Sequence, residues 1–199
     1  MFGAKAGKVL TGAVLAAIPV TGLPCSASAA APAPSCPNPN TPSAALALPA
    51  FSSSVACLIN QRRAAFHLRP LRANLRLNSA AYVYVTSLLS GQFFTHHGGL
   101  TGRNNTSTVI GRDRFIGYIP PGRRWIVGED LREAPIPTDT PTGVVTAWMN
   151  SPEHRAWILK PKLEDIGVDA EYGIANAFPV DTGVTVAAEF GFRRFPHRR

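Results

Sequence analysis

The first 29 residues limit this chain more than any other stretch, because they dictate where everything after them must fold. Lys5 and Lys8 give a positive start, an apolar stretch follows from Val9 to Leu23, and Ala27-Ser28-Ala29 forms the small-x-small pattern that a signal peptidase accepts. The apolar stretch is about 15 residues long, short of the roughly 20 that a spanning helix needs. Pro19 and Gly22 also make it a poor permanent span. Residues 1–29 are therefore expected to be a cleaved signal peptide, and the mature chain to be secreted, extracellular and without a stable membrane span. Lipid anchoring at Cys25 is disfavoured, since Pro24 stands where such sites want a small residue.

Export sets the reading of the remaining cysteines. Cys36 and Cys57 form an even pair in an oxidising space, which predicts one disulfide tying the leader to the first helix. Charge matters next. The chain carries 20 Lys and Arg against 12 acids, and losing Lys5 and Lys8 leaves 18 cations. They are scattered in small clusters such as Arg62-Arg63 and Arg193-Arg194, with no basic helix or aromatic-interleaved motif of a nucleic-acid binder. The expectation is a basic surface suited to an anionic cell envelope, with no nucleic-acid partner.

Residues 30–50 are mostly Ala, Pro, Ser and Asn, a composition expected to form a flexible leader. Residues 51–195 are long enough for one ordinary domain with a real core, and 196–199 are a basic tail. Val55, Leu58, Ile59, Arg62 and Phe66 recur at helical spacing, predicting a helix over about 53–67. A second helix is expected over about 74–90, ended by Gly91, with Leu77, Ala81, Tyr84, Val85, Leu88 and Leu89 inward. A short helix over about 107–116 is followed by a strand from near Trp125, and then by a helix opened by Pro141 and capped by Thr140. Its inward face should carry Val144, Val145 and Trp148. Alternation in "DIGVDAE" and "VTVAAEFGF" predicts two late strands. Helices first and strands mostly last define an α+β chain whose helices cover a largely antiparallel sheet.

The chemistry-bearing residues lie in short strings. His96 and His97 follow the second helix in "GQFFTHHGG", Glu129 sits in "GED" at the end of a strand pattern, and His154 follows a Ser-Pro turn in "WMNSPEHRAWIL". Together with "LINQRRAAFHLRPL" and "DIGVD", these strings resemble the bacterial members of the CAP superfamily, the SCP-like or cysteine-rich secretory protein domains. The resemblance covers about Val55 to Phe192, and the string from Trp148 to Leu159 is its most specific part. It implies a three-layer α-β-α sandwich with a cleft lined by histidines and acids. The family's cleft histidines fall on His96 and His154, and its "GEN" glutamate on Glu129. Two imidazoles and a carboxylate suit a divalent cation such as zinc with an open position.

Three positions depart from the wider family pattern. Asp130 replaces the asparagine of "GEN", Ser151 stands where animal members carry a fourth cleft acid, and Gly98-Gly99 alter the loop after His96. Glu153 is the nearest replacement for the missing acid, and the sequence leaves His96 and His97 as alternatives. Three functions are consistent with these residues. The first is a binding module taking a divalent cation or a small apolar or lipid-like ligand, as in several branches of the superfamily. The second is a metal-assisted hydrolase of the cell envelope, with His96 and His154 on zinc and Glu129 as ligand or general base. The third is a structural or interaction role at the cell surface, in which the same residues serve the fold. No His-Glu-x-x-His helix or activated Ser or Cys motif supports catalysis, so a binding module is the favoured expectation.

Overall fold

A computed structural model of the chain describes residues 35–96, 108–122, 124–175 and 183–194. The expected signal peptide, residues 30–34 of the leader, His97, Gly98, Gly99 and the basic tail lie outside the described residues.

The first described element corrects the leader. A 3-10 turn at Ser43–Ala45 precedes helix α1, which runs Leu48–Ala65 and starts several residues earlier than its apolar spacing suggested. Pro49 opens α1, where a missing N–H costs nothing. The Cys36–Cys57 disulfide is formed. Ser43 donates through its N–H and its hydroxyl to the Asp139 carboxylate at 3.2 and 2.8 Å, and the Ser54 hydroxyl donates to the Pro37 carbonyl at 2.6 Å. Residues 35–50 are thus fastened by a covalent link and directional hydrogen bonds, so composition alone misjudged them as a free leader.

The strand β1 (Arg72–Ala73) follows, then α2 (Leu75–Gly91), α3 (Val109–Phe115), β2 (Trp125–Pro135), α4 (Pro141–Asn150), α5 (Pro152–Ile158), β3 (Asp165–Tyr172) and β4 (Gly183–Arg193). Side chains cap three helices. Asn74 accepts from Arg76 and Leu77 N–H groups, Thr108 from Gly111, and Thr140 from Gly143. α2 ends one residue later than expected, with Gln92 rather than Gly91 taking the left-handed position (φ 51°).

Among the described residues the strands lie in the order β1-β3-β4-β2, parallel between β1 and β3 and antiparallel elsewhere. Helices cover both faces. α1, α4 and α5 pack against Ile166, Val168, Val184, Val186 and Phe190, while α2 and α3 cover Val127, Leu131 and Ala187. This is the expected α-β-α sandwich. The approach of α2 to the sheet is so close that a Cβ on Gly167 would strike the backbone of Leu77 and Asn78. Trp148 is completely buried as predicted, and its indole N–H donates to the Leu131 carbonyl at 3.0 Å.

The inward face of α1 carries Val55, Leu58 and Ile59 as expected and departs only at its carboxyl end, where Arg62 is exposed. Arg63 is fully buried, while Phe66 is 55% exposed. Arg63 donates through Nε to the Arg69 carbonyl and through Nη1 to those of Ile158 and Lys160, while its buried Nη2 has no hydrogen-bond partner among the described residues. Among the described residues, no helix is long and apolar enough to cross a membrane.

Candidate functional site

The candidate site forms at the outer edge of the sheet, on β2. Glu129 lies in the middle of that strand, not at its end, with Val127 and Leu131 on the same face toward α2 and α3. On the opposite face, the Trp157 ring of α5 lies directly on Gly128, where any Cβ would collide with it. That absence of a side chain lets α5 close over the strand.

Local sequence explains where the two histidines go. His96 follows the left-handed turn at Gln92, which ends α2 and carries the chain back toward β2. The extended Ser151 (φ −88°, ψ 122°) stops α4 because it precedes Pro152, and Pro152 opens α5. His154 therefore rides a short helix of its own after the Ser-Pro turn. His96 comes from one helical layer and His154 from the other, and their ring centroids are 6.0 Å apart. With Glu129 and Glu153 they line a cleft of about 520 Å³ whose walls include Val109, Ile110, Val127 and Trp157. Ser151 does not line it.

Behind the cleft lies a buried cluster of opposite charges. His96 Nδ1 is 3.0 Å from Glu129 Oε1, and Arg112 donates to the other Glu129 oxygen. Arg112 also donates to Glu189 at 3.1 Å, and Glu189 faces Glu129 directly across β4 and β2. The guanidinium carbon sits 3.4 Å above the Tyr84 ring, and the Tyr84 hydroxyl donates to the Thr95 carbonyl, next to His96. Burial pushes the Tyr84 hydroxyl up to about 12, so it remains a donor.

One cation between two buried acids leaves a surplus of carboxyl. Burial pushes Glu129 up to about 7 against the pull of Arg112, and pushes Glu189 well above the ordinary range. The two face each other as a coupled pair, and each holds its proton more tightly than an exposed carboxyl does. Asp113, buried beside them, is pushed to about 9, again by burial. Burial lowers His96, with Arg112 adding to the effect, and burial lowers His154, with His96 adding to it. Both imidazoles are therefore neutral at pH 7 and carry a free lone pair. With Nδ1 donating to Glu129, His96 keeps Nε2 as its accepting nitrogen.

The predicted residues thus separate. The structure brings together His96, His154, Glu129 and Glu153. Asp130 points to the opposite face of β2, fully buried, with neither carboxyl oxygen hydrogen-bonded among the described residues. Burial, with the nearby Glu129 adding to it, pushes Asp130 well above the ordinary carboxylate range. Arg112, Glu189 and Tyr84 were not expected at the site. Glu189 had a readable signal, being an acid inside the apolar alternation of "VTVAAEFGF", which demands a buried cation somewhere else.

Both Glu129 oxygens are engaged, and among the described residues no group of three His, Cys, Asp or Glu side chains converges as a metal site. The donor set at the cleft is two imidazoles with Glu129 orienting one of them from behind. That arrangement fits a weakly held cation completed by water or Glu153, but not a cage that includes Glu129.

A sandwich of this order with paired histidines at a sheet edge defines an α-β-α domain with a histidine-lined cleft, and comparison with known proteins identifies its family. The Cysteine-rich secretory protein family (CAP) matches residues 57–185, more than half of the 199-residue chain, and the chain belongs to that family. The fold is similar to that of an outer surface protein from Borrelia burgdorferi (TM-score 0.54, 22% identity, covering 70% of this chain and 90% of that one). It is also similar to an extracellular SCP-domain protein from Bacillus anthracis (TM-score 0.53, 16% identity, 72% of this chain and 40% of that one). A cysteine-rich secretory protein from Staphylococcus aureus gives TM-score 0.51 and 18% identity over 72% of this chain and 38% of its own. The chain therefore spans about two fifths of the length of the last two. No curated protein matched the sequence.

Proposed function

We infer that this is an exported binding module whose cleft takes a small ligand with an apolar body and a polar head. The observation that carries it is the pairing of two neutral imidazoles, 6.0 Å apart, with the apolar walls of Val109, Ile110, Val127 and Trp157. The walls receive the apolar body. The imidazoles meet the polar head, or a divalent cation that bridges to it. His96 and His154 would hold such a cation, which would supply a positive charge for an anionic head group, while Glu129 keeps the His96 ring from turning. Export is supported by the amino-terminal pattern, the Cys36–Cys57 disulfide and the outer-surface and extracellular relatives.

The hydrolase alternative finds less support. A general base must reach a water in the cleft, and Glu129 is already occupied by His96 and Arg112. Histidine NMR tests the binding reading. Titration with dodecanoate, alone and with zinc, should shift the ring signals of His96 and His154 and leave His67 in place. Unmoved His96 and His154 signals in both titrations would overturn the reading and favour a purely structural role for the cleft.

A further inference from the structure

A second concavity, separate from the histidine cleft, is larger and of different character. It measures about 840 Å³ and lies where α1 has ended and β2 begins. One wall is the loop carrying Leu68, Arg69 and Pro70 with the turn at Pro161 and Lys162; the other is Arg124 and Trp125 with Phe192 and Arg194. Its charge is one-sided. Glu164 is the single acid lining it, and Arg72 pairs with that acid at 3.3 Å. Arg72 also reaches Asp165 at 3.2 Å. Arg69, Arg124, Lys162 and Arg194 are exposed, and none has an ion-pair partner among the described residues.

The walls are also fixed. Arg63, fully buried, ties the Arg69 carbonyl to those of Ile158 and Lys160, joining the two loops of the first wall from below. The Arg72 N–H donates to the Glu164 carbonyl, Glu164 to Gly191, and Arg194 to Arg124, at 2.8 to 3.0 Å. Four cations without an acid partner are thus held around a ready-made groove, instead of being scattered on a solvated surface. Arg194 lies over the Phe192 ring, 5.6 Å from its centroid, but like charges gathered along one groove repel one another unless an anion lies between them. Between the cations lie the half-buried rings of Trp125 and Phe192 and the apolar Leu68.

We propose that this groove binds a linear acidic polysaccharide, whose acid groups pair with Arg69, Arg124, Lys162 and Arg194 while its sugar faces lie against Trp125 and Phe192. Guanidinium groups match carboxylates bidentately, and aromatic rings offer flat apolar area beside them. A compact anion such as free phosphate would use one or two of the cations and none of the rings. The proposal is independent of the histidine cleft and of what it binds.

Calorimetry of the purified protein with an oligouronate at moderate salt tests it. Three companion probes are the fully methyl-esterified oligomer, an inorganic polyphosphate of similar length and duplex DNA. The account expects oligouronate binding, at least tenfold weakening in Arg69→Gln/Arg124→Gln/Lys162→Gln, and little change in the control Arg62→Gln/Arg76→Gln/Arg155→Gln, which removes the same charge outside the groove lining. It expects the esterified oligomer to bind far more weakly. Equal loss in both triple variants, or no oligouronate binding, overturns the proposal. Polyphosphate or DNA binding as tightly as oligouronate overturns the saccharide assignment. If the groove variant does not fold, amine acetylation of the parent decides: bound oligouronate should protect Lys162 and leave Lys160 reactive, and equal reactivity of both contradicts the site.

Discussion

The two faces of the central sheet are built on opposite principles. Toward α1, α4 and α5 the strands present Ile166, Val168, Val184, Val186 and Phe190 to Trp148, Val144, Val145 and Ile158, a mainly apolar contact that also buries Asp130 and, on α1, Arg63. Toward α2 and α3 the same strands bury Glu129 and Glu189 around Arg112 beside Asp113. The first face gains stability from area removed from water. The second spends stability on desolvated charge, since a buried ion pair rarely outperforms an apolar replacement. What the second face obtains is placement: Glu129 fixes His96, and Tyr84 fixes the adjoining Thr95 carbonyl. The difference teaches that the apolar face makes the fold and the charged face makes the cleft.

Truncation should separate the faces most sharply. Trp148→Ala should cost about 3–5 kcal/mol by chemical denaturation, at any pH between 5 and 8. Arg112→Met should cost a comparable ~3–5 kcal/mol at pH 8, because two carboxyls are left without a cation. Its cost should shrink toward pH 5, where Glu129 and Glu189 are readily protonated. A pH-independent cost for Arg112→Met would erase the distinction drawn here.

Removing the covalent tie should rank next. Cys36→Ala/Cys57→Ala should lose roughly 3 kcal/mol, as expected for a loop of this size. Unchanged stability would show that the hydrogen bonds of Ser43 and Ser54 suffice to hold residues 35–50.

A smaller effect comes from Asp113, whose folded value near 9 stands far above its ordinary 3.8. A raised carboxyl contributes stability that is complete below the unfolded value and is lost as pH rises toward about 9. Glu129 acts in the same direction, with its contribution lost through about 7. His96 and His154, both lowered, act oppositely: their contribution is present above 6.5 and is lost as pH falls. Thermal midpoints should therefore decline on the alkaline side, and Asp113→Asn should flatten the decline between pH 7 and 9. An unaltered slope would place the alkaline loss elsewhere.

The apolar face was the legible one. Val144, Val145 and Trp148 announced themselves by helical spacing, and the strands of "DIGVDAE" and "VTVAAEFGF" by alternation, because burial of apolar side chains imposes a period. The charged face imposes none. Arg112 and Glu189 stand 77 positions apart and meet only in the folded sheet. Glu129 was legible through its string, but its partners were not. His154 could be placed at the cleft only through the family resemblance of its string, whereas the inward turn of Arg63 was hidden, since two of the carbonyls that hold it, Ile158 and Lys160, are distant in sequence.

The central claim is that the charged face presents two neutral imidazoles to the cleft, with His96 held through Nδ1. Titration of the ring nitrogens of His96 and His154 by NMR tests it most directly. Both should titrate below the ordinary 6.5, with the His96 proton on Nδ1 above that transition, and Glu129→Gln should loosen that tautomer. A His96 that titrates above 6.5, or carries its proton on Nε2, would contradict the account.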